Sequence, residues 1–129
     1  MGYILAKIAL IVKDYDEAIN FYTKRLKFFL LEDKVINEHK RWVVLSPDQN
    51  DGCQILLAKA SNEEQESRIG NQSGGRVFLF LHTDTFDSDY ENLLKEKITI
   101  IRTPVMEDWG RVLVFADLYG NLWDLIETK

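Results

Sequence analysis

The chain has 129 residues, 46% of them apolar and 29% charged, and a formal net charge of −5 at pH 7. This is the composition of one soluble globular domain able to bury a core, and it excludes a disordered or membrane-embedded chain. The acidic balance excludes a general nucleic-acid binder, which needs clustered Lys and Arg. The single cysteine, Cys53, excludes an internal disulfide or a cysteine-rich zinc site and suits a cytoplasmic setting.

The first apolar run, residues 4–12, has Lys7 in its centre and is too short to cross a bilayer, so it is predicted to be a strand. Asp14-Tyr15-Asp16-Glu17 follows, an N-cap with acidic first-turn residues that suit the positive end of a helix. Ala18, Ile19, Phe21, Tyr22 and Leu26 then keep helical spacing. Residues 28–32, 41–46 and 54–58 are predicted strands, the last two separated by the turn-rich Pro47-Asp48-Gln49-Asn50-Asp51-Gly52.

The polar stretch 61–75 reads as a linker on composition. The order then begins again, with a strand at 76–82, a helix at 86–96, a short strand at 99–102 and a closing hairpin, "RVLVFADLYGNLWDLIE", at 111–127. Gly120 and Asn121 suit its tight turn. Within its second strand Asp124 stands among Leu122, Trp123, Leu125 and Ile126, where a carboxylate is costly to bury without compensation.

The βαβββ order therefore occurs twice. "RWVVLS" from Arg41 matches "RVLVFA" from Arg111 at an offset of 111 − 41 = 70, and Leu56 matches Asp124 at 124 − 56 = 68. Nearly equal offsets are what a duplicated module leaves behind.

The tandem order, the helix opening "VKDYDEAINFYTKRL" and the closing "DLYGNLWDLIE" together resemble the glyoxalase / bleomycin-resistance / extradiol-dioxygenase superfamily, the vicinal oxygen chelate proteins. The resemblance covers essentially the whole chain. It implies an α+β fold of two tandem βαβββ modules, curved mixed sheets around a cleft, within one domain over 1–129. The modules are expected at about 1–60 and 76–129, joined by the linker. It also implies a homodimer.

In metal-dependent members of such a family the ligands sit on the first and last strands of each module, and the matching motifs put those positions on Lys7, Leu56, Arg76 and Asp124. Protonated Lys and Arg have no lone pair to give and Leu has no donor, so only Asp124 could ligate. No cofactor is expected and a divalent metal is disfavoured. If Lys7, Arg76 and Asp124 share the cleft, as the resemblance implies, two cations compensate the carboxylate and leave a setting for a small anionic or carbonyl-bearing guest. A structural ion pair with no ligand role is the competing reading.

His82 lies an even number of residues from Arg76, so alternation puts both on one strand face with Phe78 and Phe80. His82 and Asp124 are the candidate bases. His39 belongs to a solvated turn, and Cys53 is expected to be a buried or partly buried inert thiol. Of the aromatics Trp42, Trp109, Trp123, Phe78, Phe80 and Phe115, most are expected in the core; Trp109, in the loop "MEDWGR", is the candidate for a pocket mouth. The expectation is a metal-independent binder of a small anionic or aromatic molecule contacting Lys7, Leu56, Arg76, Asp124, Phe78 and Trp109. The alternative is a glyoxalase-like lyase or dioxygenase with an atypical or absent metal site.

Overall fold

A computed structural model describes residues 2–49 and 52–128. Asn50 and Asp51 of the predicted turn lie outside the described residues. The chain forms two compact units, Met1–Ile69 and Gly70–Lys129, so the boundary falls inside the polar stretch 61–75.

The first unit runs β1 (Lys7–Val12), α1 (Tyr15–Asn20) continued by a π turn (Phe21–Arg25), β2 (Phe29–Asn37), β3 (Lys40–Ser46), β4 (Gln54–Lys59) and α2 (Glu63–Ser67). Asp14 caps α1 as expected, its Oδ2 accepting the Glu17 N–H at 2.8 Å. The sheet order is β1-β4-β3-β2, with β1 and β4 parallel and the remaining pairs antiparallel. Alternation gives β1, β3 and β4 one face toward α1: Leu10, Val12, Val43, Leu45, Ile55 and Leu57 are buried there with Ala18, Phe21 and Tyr22.

The second unit repeats the pattern with β5 (Leu79–Thr83), α3 (Phe86–Lys95), β6 (Ile100–Glu107), β7 (Gly110–Ala116) and β8 (Leu122–Glu127), in sheet order β5-β8-β7-β6. Leu113, Phe115, Trp123 and Leu125 are buried on the helix face with Phe86 and Leu93. The fold is thus α+β, two tandem βαβββ modules each with a four-stranded mixed sheet. Among the described residues no helix is long and apolar enough to cross a membrane.

Several boundaries differ from the sequence expectation. β1 begins at Lys7, leaving Ile4 and Leu5 exposed. The supposed linker contains α2, capped by Asn62, whose Oδ1 accepts the Gln65 N–H at 2.8 Å. β6 runs on to Glu107 because its pairing with β7 passes through two register shifts, between Ile100 and Arg102 and between Arg102 and Val105. β5 begins at Leu79 rather than at 76. The Phe78 N–H still bonds the Leu122 carbonyl at 2.8 Å, but Arg76 lies in an exposed bend before the strand.

Candidate functional site

The placing of Asp124 follows from alternation. On β8, Trp123 and Leu125 point to the helix face and are buried, while Leu122, Asp124 and Ile126 share the far face and are half-buried. The register sets Asp124 beside Phe80 on β5 and Val114 on β7, and Val114 in turn beside Arg102 on β6. Phe80, His82, Asp124, Val114 and Arg102 therefore stand on one face of one sheet.

Burial pushes the Asp124 carboxyl above its ordinary range, and the positive charge of Arg102 pulls it part of the way back. The cation acting on Asp124 is thus Arg102, which sequence reasoning missed. Arg76, expected to fill that role on the strand face with His82, is exposed and outside β5. Arg102 could be found in advance only by locating the bulge beside it, because a shift of one residue exchanges the two faces of a strand.

A carboxyl whose pKa is raised by folding holds its proton more tightly in the native state. Its contribution to stability is present in acid and is lost as pH rises through the native value. Asp124→Asn cannot ionise, so its melting temperature should match the wild type below the ordinary carboxylate range and exceed it at neutral pH. Thermal melts across that interval check this, and a gap that does not widen with pH would refute it.

The other expected site residues divide between the units. In the first unit Lys7 pairs with Gln54, and Ala9 with Leu56, so Lys7 and Leu56 share the far face of that sheet. In the second unit Phe78 is half-buried and precedes β5, Phe80 is 60% exposed, and His82 is exposed on the same face. Trp109 stands 53% exposed at the tip of the β6–β7 hairpin. Trp123 and Phe115 are core, stacked with centroids 6.0 Å apart. His39 lies at the β2–β3 tip, 3.1 Å from Glu38. Cys53 is exposed rather than buried, since it lies just ahead of β4 and outside its alternation.

The side chains of Lys7, Leu56 and Arg76 offer no oxygen, imidazole or thiolate, and Asp124 is the only carboxylate at the four expected positions. Among the described residues no three His, Cys, Asp or Glu side chains gather so as to hold a metal ion. The donor set does not fit a metal centre of the kind the fold suggests.

The duplication is also visible in side-chain chemistry. In each unit an arginine at the start of a strand lies over the first aromatic of the helix and bonds the aspartate next to it. Arg41 sits 5.3 Å from the Tyr15 ring and 2.9 Å from Asp16; Arg111 sits 4.6 Å from the Phe86 ring and 2.7 Å from Asp87. The third partner differs: Asp33 on β2 receives two guanidinium bonds from Arg41, and Glu127 on β8 two guanidinium bonds and one backbone N–H bond from Arg111. These carboxylates, Asp33 first for Arg41 and Glu127 first for Arg111, raise both guanidinium pKa values further above their ordinary range.

The profile of the Glyoxalase/Bleomycin resistance protein/Dioxygenase superfamily matches residues 4–125. A protein of Shewanella frigidimarina is 55% identical over 130 aligned residues, covering 100% of this chain and 96% of its own length. Among solved structures, UcmS2 superposes with a TM-score of 0.84 at 28% identity, covering 98% of each chain. TnmS3, an antibiotic binding protein from Streptomyces sp. CB03234, gives 0.79 at 25% identity, covering 100% of this chain and 99% of that one. With its doubled βαβββ fold and a profile match over nearly its full length, this chain belongs to the Glyoxalase/Bleomycin resistance protein/Dioxygenase superfamily.

Proposed function

We propose that this protein is a metal-independent binder of small aromatic molecules, held against the far face of the second sheet with Asp124 and Arg102 as polar anchors. The observation that carries this reading is the half-buried carboxyl of Asp124, its pKa raised by burial, on an apolar sheet face beside the exposed ring of Phe80. A mainly apolar wall with a few placed polar groups is the usual make-up of a small-molecule site. The likeness to an antibiotic-binding protein supports the ligand class. Phe78 and Trp109, in the same unit, are taken as further contact residues, and Arg102 takes the role expected of Arg76. A cytoplasmic setting and a homodimer belong to the same reading, the dimer being checked by solution mass.

The test has two parts. Purified without a histidine tag or chelator and incubated with zinc, nickel, iron or manganese, the protein should show only substoichiometric metal by elemental mass spectrometry. In a calorimetric screen of aromatic antibiotics, Phe80→Ala should weaken the best binder by about tenfold or more, a loss of ~1.4 kcal/mol. Stoichiometric metal, or an affinity that Phe80→Ala leaves unchanged, would sink the proposal.

One observation favours a second reading, a metal-free lyase of glyoxalase-like type: His82 and the raised Asp124 carboxyl share a face, and both are side chains suited to moving protons. It differs from the first in requiring turnover that Asp124→Asn abolishes while binding persists.

A further inference from the structure

The two units differ at one place where their sequences should make them alike. In the second, β7 and β8 stay paired from Ala116↔Leu122 to Val112↔Ile126, and Arg111 then clasps Glu127 across the strands. In the first, pairing of β3 with β4 stops at Val43↔Leu57. The repeat offsets put Trp42 and Ala58 where Val112 and Ile126 pair, and Lys59 where Glu127 stands (127 − 68 = 59). A lysine there repels the arginine it would have to clasp, and Arg41 turns to Asp33 on the other neighbouring strand, at 2.7 Å.

The strands part and a cavity of about 550 Å³ opens between them, within the range of small-molecule sites. Tyr15, Trp42, Leu56 and Gln65 line it, and Lys40 and Lys59 bring positive charge to it. The Trp42 ring is held in place by its Nε1–H, which donates to Glu32 Oε2 at 3.1 Å. Arg41 is committed to Asp33 and Asp16, and Glu38 sets one negative charge against the two lysines in the lining, 2 − 1 = +1, so the cavity keeps a positive balance.

We infer that this cavity between β3 and β4 is a second ligand site, specific to the first unit, that takes an aromatic carboxylate: ring against Trp42 and Leu56, carboxylate toward Lys59 and Lys40. The inference stands apart from the proposed function, which concerns the other unit.

The probe is 2-naphthoate, titrated into the full chain and followed by amide and indole nuclear magnetic resonance. Saturable shifts of the Trp42 indole N–H and the Gln65 amide are expected, with naphthalene-2-carboxamide, which lacks the charge, binding about tenfold more weakly or worse. Lys59→Glu supplies the carboxylate that Glu127 provides in the second unit, so it should close the strands and abolish the shifts. Lys59→Gln, which removes charge without offering a clasp, should weaken binding by several-fold and serves if Lys59→Glu does not fold. Absence of saturable movement at Trp42, equal binding of the amide, or unchanged binding in both Lys59 variants overturns the inference. Shifts confined to Phe80 and Asp124 would overturn it while supporting the reading of the second unit.

Discussion

Replacing Trp123 with alanine should cost about 3–5 kcal/mol of unfolding free energy, the range for deleting a buried large aromatic side chain. Trp123 is 2% exposed and stacks on Phe115 at 9° between planes, on the face of β8 that packs toward α3. The neighbours are strands held in register by the ladder, so the site cannot collapse to fill the hole, and the cavity cost adds to the lost transfer energy. Domains of this size hold only about 5–15 kcal/mol in total, so the variant should unfold at much lower denaturant with the same slope. Phe80→Ala, on the far face of the same sheet and 60% exposed in the native state, should change stability by less than about 1 kcal/mol. Equal losses for the two would mean that the assignment of faces is wrong.

The same alternation explains how much of this protein was legible beforehand. The βαβββ order of each module, the Asp14 cap and the duplication follow from local spacing and from residue types that leave few choices, and the family follows from the motifs they sit in; α2 in the polar stretch does not. The site was legible less far. Asp124 was visible as an anomaly, an acid in an apolar strand, but its partner was not, because Arg102 reaches the shared face only through bulges on β6 that leave no residue signature. Arg76 was misplaced because "GRVFLFL" reads as one apolar run, whereas pairing with β8 supports a strand only from Leu79. The early end of the β3–β4 pairing coincides with Lys59 standing where Glu127 does, a difference that has meaning only once the two modules are aligned.

Duplicated modules in this way share a core and diverge at strand ends. Both units keep the arginine over the helix aromatic and the aspartate beside it, contacts that fix the helix on its sheet. What changes is which strand supplies the third carboxylate. Moving it from the last strand of the unit to β2 opens one sheet end in the first unit and keeps the other closed in the second, on an otherwise repeated frame.

Asp117→Ala should destabilise the protein by about 3 kcal/mol, a large effect for a turn residue. Asp117 is 6% exposed in the β7–β8 turn; its Oδ1 accepts the N–H groups of Tyr119 and Asn121, each at 2.9 Å, and its Oδ2 the Asn121 side-chain amide at 2.8 Å. Alanine leaves the Asn121 donors unpaired in a buried setting, and each such loss costs about 1–3 kcal/mol. Asp117→Asn keeps one acceptor oxygen for the two backbone donors but sets an NH2 against the Asn121 amide, so it should lose about half as much. Denaturant melts of the two variants check this, and a loss under about 1 kcal/mol for alanine, or equal losses for both, would contradict it. The consequence reaches the site, because this turn fixes the register of β8. A slip of one residue there would turn Asp124 to the helix face and Trp123 toward Phe80, setting a carboxyl in the core and an indole on the far face.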